Sequence, residues 1–205
     1  MEAVPFGACG NRFIKISTGM NKILYVFVAF FMLQMGAFAQ TNFEELTLAK
    51  ALEKAKAENK LVFVDTYTSW CMPCKYMANT IFPKPEMGAY LNPRFVCVKY
   101  NTEEGEGAEI MKRYEISAFP TFLILNTKGE VQHRIVGGSE TVEDFIKRVA
   151  EGLDEDKAIG ILAVKYEKGD RDVKLLVKYA RALLAVDDPL TVQVANELIS
   201  KLNDS

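Results

Sequence analysis

Short apolar runs, separated by polar turns, occupy the middle of this 205-residue chain. Runs of about four to eight apolar residues between turn signals are typical of buried strands. Four runs predict strands at Leu61–Val64, Phe95–Tyr100, Phe122–Leu125 and Val131–Val136. The turn between the last two, residues 126–129, contains a glycine that can adopt a positive φ, so these strands are expected to form a hairpin.

Helical periodicity flanks these strands. The Ala- and Lys-rich segment Ala51–Lys60 predicts a helix that leads directly into the first strand. A second helix is predicted over Thr141–Glu151, because its apolar residues fall on one helical face, namely Val142, Phe145, Ile146 and Val149.

The pattern changes after Gly152, where helical spacing continues without a strand signal. Three groups have that spacing: Ile159, Leu162, Ala163 and Tyr166; Val173, Leu176, Val177, Ala180 and Leu184; and Leu190, Val194, Glu197 and Leu198. We expect residues 153–205 to form an all-α extension that packs on the preceding domain. Docking of a protein partner on these helices is the alternative.

The first 39 residues read as a targeting segment rather than as part of the fold. Met20-Asn21-Lys22 gives a short positive start, and Ile23–Leu33 is an unbroken apolar run of 11 residues. A membrane span needs about 20 residues, whereas a secretory signal needs only about 7–15. Ala37-Phe38-Ala39 fits a signal cleavage site, which leaves Gln40 as the mature N-terminus. The prediction is a periplasmic or otherwise exported protein whose true start is Met20; an uncleaved N-terminal membrane anchor is the alternative.

Charge gives no sign of a nucleic-acid partner. Without residues 1–39 the chain has 22 basic and 26 acidic side chains, a formal charge of −4. No basic stripe of the kind that binds phosphate backbones is present in the sequence.

The strongest chemical signal is the segment Trp70–Lys75, with cysteines at positions 71 and 74. Residues three apart are neighbours on a helix, so the two Cα atoms would lie within about 5–6 Å, which suits a disulfide. At a helix N-terminus, Cys71 would be stabilised as a thiolate. Pro73 suits the first helical turn. We expect Cys71 to attack a partner's disulfide and the more buried Cys74 to resolve the mixed disulfide.

Two other interpretations of the cysteine pair are open. A zinc site usually has four ligands, and the mature chain offers only Cys97 and the single His133 besides the pair. A structural disulfide with this spacing would close a very small loop, so it would stabilise the folded chain only slightly through the entropy of the unfolded chain. Cys97 is most simply a small buried residue, and His133 lies on a predicted edge strand far from the motif.

A second signal is Ile116–Thr121, in which Pro120 immediately precedes a predicted strand. A proline there marks an edge or a special turn, and X–Pro is the common setting of a cis peptide.

With these motifs in order, the segment from Phe43 to Gly152 resembles the thioredoxin family. The matching features are Trp70–Lys75, Phe119-Pro120-Thr121, Lys128-Gly129, Gly137-Gly138, and Asp65 six residues before Cys71. The resemblance implies an α/β fold with a central mixed sheet flanked by helices, spanning residues 40–152, and a protein-disulfide oxidoreductase that needs no cofactor and no metal.

One subgroup is more similar than thioredoxin itself. Ala51–Lys60 and the insertion Asn79–Glu86 resemble the C-terminal domain of transmembrane electron transporters of the DsbD type. The departure is Met72-Pro73 between the cysteines, where thioredoxin has Gly-Pro.

The resemblance also implies roles for individual residues. Pro120 would be a cis-proline facing the cysteines, and Asp65 would lie under Cys74 and take its proton, with Lys99 as its charge partner. The residues implied in client binding are Trp70, Met72, Pro73 and Phe119. Two alternatives remain: Asp65 as a strand-end turn residue and Lys99 as a solvated strand residue.

The sequence therefore predicts an exported thiol–disulfide oxidoreductase that reduces client disulfides, with a membrane electron donor restoring the dithiol. Oxidase or isomerase action would use the same residues. A thioredoxin-like binding module with secondary cysteines is the alternative from another class.

Overall fold

The structure, a computed structural model, describes residues 40–203. Four strands form one sheet in the order β2-β1-β3-β4. They are β1 (Leu61–Tyr67), β2 (Phe95–Asn101), β3 (Thr121–Leu125) and β4 (Val131–Val136). Strand β1 is parallel to β2 and antiparallel to β3, and β3 and β4 form the predicted hairpin. The expected mixed sheet is confirmed.

Helices flank this sheet and continue beyond it. Within residues 40–203 they are α1 (Leu48–Glu58), α2 (Met72–Tyr76), α3 (Pro85–Leu91), α4 (Gly105–Arg113), α5 (Val142–Glu151), α6 (Ile159–Glu167), α7 (Val173–Leu184) and α8 (Leu190–Asn203). A π-helical turn, Met77–Ile81, directly follows α2. Among residues 40–203, none of the helices combines the length and the apolar character that a membrane-spanning segment needs.

Two cores lie on opposite faces of the sheet, because successive side chains of a strand point to opposite faces. Phe63 of β1 belongs to an aromatic core with Phe82, Phe122 and Phe145. Its neighbours Val62 and Val64 belong to a second, aliphatic core packed against α1 and α4. The sheet is therefore covered on both faces, and this holds the carboxyl end of β1 in a fixed position.

Strand β1 is longer than the apolar run that predicted it. It includes Asp65, Thr66 and Tyr67, and Asp65 pairs with Lys99 of β2 and Phe122 of β3. The interpretation of Asp65 as a strand-end turn residue is wrong. Since β1 is a central strand, neighbours on both sides satisfy its backbone and extend it through polar residues.

The C-terminal helices form a small core of their own and also contact the sheet. Leu162, Leu176, Tyr179 and Val194 are among its buried residues. The buried face of α7 matches the predicted one in part: Leu176 is buried and Ala180 packs on the core, as predicted, whereas Leu184 is exposed. Leu175, Tyr179 and Leu183 are buried in addition, and Tyr179 packs on the ring of Tyr166, with 5.2 Å between centroids.

Gly160 is where the extension meets the sheet. A Cβ atom there would lie 2.0 Å from the carbonyl oxygen of Val131 and 2.9 Å from the Cα of Gln132. A backbone contact of this kind cannot be relieved by a change of rotamer, so only glycine lets α6 approach β4 this closely.

Gly160→Ala is expected to destabilise the protein by about 1–3 kcal/mol, because overpacking outweighs alanine's better helix propensity of about 1 kcal/mol. Urea unfolding measures the loss, and faster amide exchange in β4 would locate it at the α6 contact. Val164→Ala on the exposed face of α6 is the control, with a change within about 0.5 kcal/mol. Equal stability of both variants would contradict this account of the contact.

The predictions for residues 1–39, including the start at Met20, the apolar run and the cleavage after Ala39, lie outside the described residues. The boundaries at residues 40, 152 and 153 stay predictions.

Candidate active site

The two motif cysteines meet at the N-terminus of α2. Cys71 is the N-cap of this helix, and its Sγ accepts a hydrogen bond of 3.1 Å from the backbone N–H of Cys74. Pro73 lies in the first turn, where an N–H is not needed. The cysteines form a disulfide with 5.3 Å between Cα atoms, within the expected range. The helix end therefore places a backbone donor against the sulfur on which negative charge would develop.

Burial does not distinguish the cysteines in the expected way. Cys71 is 3% exposed and Cys74 is 6% exposed, so the prediction that Cys74 is the more buried residue is wrong for this disulfide form. The chain turns just before the helix, with the N–H of Cys71 donating to the carbonyl of Thr68, and the disulfide holds the two sulfur atoms against each other.

The proline loop lies beside the motif. The Phe119–Pro120 peptide is cis, as the resemblance implied. The ring of Phe119 contacts Trp70 edge-on, with 6.1 Å between centroids. On the other side, a Cβ on Gly138 would meet both Met77 and Pro120, so the loop and the end of the active-site helix share a neighbour. The structure thus brings Pro120 and Phe119 next to the helix of Cys71 and Cys74.

Large apolar side chains around the pair face solvent. Trp70, Met72 and Tyr76 are all exposed, although each is of a type that usually packs inside. Clustered exposed apolar residues of this kind mark contact surfaces.

Glu103 positions Trp70, a role that no motif in the sequence indicates. Its carboxylate accepts hydrogen bonds from the N–H of Ser69, at 2.7 Å, and from Nε1 of Trp70, at 3.0 Å. The bond from the Ser69 backbone is the main reason that the pKa of Glu103 is lowered. Parallel pairing places the carboxyl ends of β1 and β2 at one edge of the sheet, which brings Glu103 beside the turn before Cys71.

Asp65 is buried and faces a cavity of about 460 Å³. Lys99, Phe82 and the segment 40–43 also line this cavity. Burial raises the pKa of Asp65 to about 7, and the positive charge of Lys99 opposes the rise. Oδ1 of Asp65 and Oγ1 of Thr41 are both buried and make no hydrogen bond.

Lys99 combines both interpretations made of it. The residue is exposed, as expected of a solvated strand position. It is also in register with Asp65 on the neighbouring strand and lowers the pKa of that carboxyl, although no ion pair joins the two side chains.

Cys97 and His133 are the two residues considered above as further zinc ligands. Cys97 is buried in the aromatic core, and burial raises the pKa of its thiol to about 12. His133 is on the edge strand β4. Within residues 40–203, no three side chains of the His, Cys, Asp and Glu types converge as metal ligands would.

A mixed sheet flanked by helices, with a disulfide at a helix N-terminus beside a cis-proline loop, defines the class of thioredoxin-like disulfide oxidoreductases. Residues 48–152 match the family of thioredoxin-like domains, and the chain belongs to that family.

Three known proteins illustrate the similarity. The chain is 28% identical to the thiol:disulfide interchange protein DsbD of Pseudomonas fluorescens over 103 residues, which are 49% of this chain but only 18% of that protein. It is 34% identical to thioredoxin-1 of Saccharomyces cerevisiae, covering 44% of this chain and 82% of the yeast protein. A solved structure from Bacteroides thetaiotaomicron, described as a candidate disulphide isomerase, is 40% identical with a TM-score of 0.51, covering 57% of this chain and 95% of the other.

Proposed function

We propose that this chain is an exported thiol–disulfide oxidoreductase that reduces disulfides in client proteins through Cys71 and Cys74. The observation that carries the proposal is the position of Cys71, whose sulfur caps a helix and accepts the Cys74 backbone N–H. The same donor and the positive end of the helix dipole would favour a Cys71 thiolate after reduction. A thiolate is the nucleophile of disulfide exchange.

The reaction has two exchange steps. The thiolate of Cys71 attacks one sulfur of the client disulfide, a mixed disulfide forms, and the other client sulfur leaves as a thiolate. The thiolate of Cys74 then attacks Cys71, which forms the Cys71–Cys74 disulfide and releases the second client sulfur. Two electrons pass from the dithiol to the client, and the client thiolates take up two protons.

Asp65 is the group that would accept the proton of Cys74. A catalytic base works best when its pKa is near the working pH, and burial brings Asp65 to about 7. Its Oδ1 has no hydrogen-bond partner and faces a cavity wide enough for water, so transfer through water is compatible with the site.

The client would bind across the exposed face of the site. Trp70 and Met72 offer apolar contact area, with Trp70 held by Glu103 and by the ring of Phe119. The backbone of Phe119, beside Pro120, would hold an extended client segment. Pro73 would contact the client from the first turn of α2. The similarity to a DsbD protein supports a membrane electron donor that restores the dithiol, and it supports function in the periplasm.

The direction of electron flow is tested by the potential of the Cys71–Cys74 couple. We expect a value below about −200 mV, closer to thioredoxin at about −270 mV than to the oxidant DsbA at about −120 mV. Equilibration with glutathione buffers, followed by thiol labelling and mass spectrometry, measures it. A value near that of DsbA would contradict reduction as the direction while leaving the exchange chemistry intact.

Isomerisation is the second candidate, favoured by the name of the Bacteroides thetaiotaomicron relative. Cys71 would attack in the same way, but a client thiol would resolve the mixed disulfide. Reactivation of a protein with scrambled disulfides by a Cys74→Ala variant distinguishes the two, because isomerisation then needs only Cys71, whereas net reduction needs both cysteines.

A further inference from the structure

A second cavity lies between the edge strand β4 and the C-terminal helices. Its volume is about 570 Å³, within the range of about 300–1,000 Å³ that is usual for small-molecule sites. One wall is formed by consecutive residues of β4, from His133 to Val136. Residues of α5, the loop that follows it and α7 form the others. None of the proposed redox residues lines this cavity.

His133, one of the residues that line that wall, carries an unpaired polar atom. The residue is only 9% exposed, and its buried Nδ1 makes no hydrogen bond. Buried polar atoms in proteins nearly always have a partner, so the imidazole of this cavity-lining residue has unused hydrogen-bonding capacity. Burial, together with the charge of Arg148, lowers the pKa of His133 to about 4, so the ring is neutral near pH 7. A neutral imidazole carries one donor nitrogen and one acceptor nitrogen.

The charged groups around the cavity favour an anion. Its lining includes the basic residues Arg134, Arg148, Lys157, Lys178 and Arg181, and the acidic residues Glu151, Asp154 and Asp156. Four of these charges are paired in ion pairs: Lys178 with Asp156, with 2.7 Å between nitrogen and oxygen, and Lys157 with Asp154, with 3.9 Å. The three arginines form no ion pair with a carboxylate among residues 40–203. Carboxylates nearby still act on two of them: Asp188 and Glu115 on Arg134, and Asp144 and Glu151 on Arg148. Arg181 is therefore the arginine whose positive charge is least balanced.

The three arginines differ in whether their side chains are held by hydrogen bonds. Arg134 donates to the carbonyl of Tyr114 at 2.6 Å, and Arg148 donates to the carbonyl of Val136 at 2.6 Å, so both side chains are held in place. The side chain of Arg181 makes no hydrogen bond or ion pair within residues 40–203, and the residue is exposed at the cavity. It is the guanidinium that could turn toward a ligand.

The position of Arg148 also argues against an added peptide strand. The N–H of Gly137 donates to the carbonyl of Pro120, the residue just before β3, so by antiparallel alternation the backbone of Val136 points away from β3. Arg148 already occupies that outward carbonyl, which a pairing strand would need. The rest of the wall is apolar, formed by Ile135, Ala182, Ala185 and Val186.

We propose that this cavity binds a small organic carboxylate with an apolar body. The carboxylate accepts hydrogen bonds from Arg181 and from the imidazole of His133, and the apolar body lies against Ile135, Ala182 and Val186. This site goes beyond the proposed redox function and does not depend on it.

His133 is the only histidine of the chain, so its imidazole nitrogens report binding without ambiguity. Octanoate is the probe, added to purified chain that lacks a histidine tag, with 1-octanol as the uncharged control. We expect octanoate to shift the 15N resonances of His133 in a saturable manner, and octanol to bind more weakly. Absence of any shift up to the solubility limit of octanoate would overturn the proposal.

Arg181→Ala tests the carboxylate contact with a variant that disturbs no observed interaction. We expect it to raise the octanoate Kd by about tenfold, the loss of one charge-assisted hydrogen bond. Lys174→Ala removes one positive charge from the same helix outside the cavity and should leave the Kd unchanged. Equal affinity of Arg181→Ala and the unaltered chain, or equal binding of octanol and octanoate, would show an apolar cavity without a carboxylate site and overturn the proposal.

Discussion

Replacing Cys74 with alanine is expected to turn the chain into a trap that retains clients as mixed disulfides on Cys71. The first exchange step needs only Cys71 at the end of α2, whereas release of the client needs the thiol of Cys74. Net reduction of a model disulfide substrate should fall by at least about a hundredfold, because the step that completes turnover is lost. Non-reducing electrophoresis of cell extracts, followed by mass spectrometry, detects and names the trapped clients.

Two controls make this result specific. Cys71→Ala/Cys74→Ala should retain no client, since no nucleophile remains at the helix end. Cys97→Ala should behave as the unaltered chain, because Cys97 is buried and its thiol has a pKa of about 12. If Cys74→Ala retains no client while the purified variant is folded, the thioredoxin-like domain acts as a binding module and the proposed reduction is wrong.

Much of this site could be predicted from the sequence because its residues are close together along the chain. The spacing of Cys71 and Cys74 fixes their geometry once a helix begins there, and Pro73 favours that helix start. The hairpin of β3 and β4 follows from two apolar runs and a glycine turn. Pro120 could be found because it directly precedes one of these runs.

Features that depend on distant contacts could not be predicted in the same way. Glu103 holds Trp70 only because β1 and β2 are parallel and end at the same edge. The extension of β1 through Asp65 depends on strands on both of its sides, not on its own composition. The close approach of α6 to β4 at Gly160 is a backbone contact with no periodic signal, and the cavity beside His133 joins β4 to residues of α7 that are about 45 positions further along the chain.

Asp65→Asn is expected to stabilise the folded protein at alkaline pH and to leave it almost unchanged at pH 4. The pKa of Asp65 is raised from 3.8 to about 7, so the folded state retains a proton that the unfolded chain releases as the pH rises. The contribution of Asp65 to stability is therefore most favourable below about pH 4, falls as the pH rises through about 7, and is constant above that. The free energy of unfolding that is lost in this way amounts to about 4 kcal/mol. Asparagine has no charge to desolvate, so the variant avoids this loss apart from the cost of burying its amide.

Urea unfolding of the oxidised protein at pH 4 and pH 8 measures this difference. The control is Glu143→Gln at an exposed position, which should change the free energy of unfolding by no more than about 0.5 kcal/mol at both pH values.

The same Asp65→Asn variant should resolve mixed disulfides at least about tenfold more slowly at pH 7, because Cys74 loses its proton acceptor. Stabilisation at pH 8 with normal resolution would mean that Asp65 is a buried acid without a role in proton transfer. Equal pH dependence of the variant and the unaltered chain would instead show that Asp65 does not titrate near neutral pH, and the assignment of a base to this cavity would then be wrong.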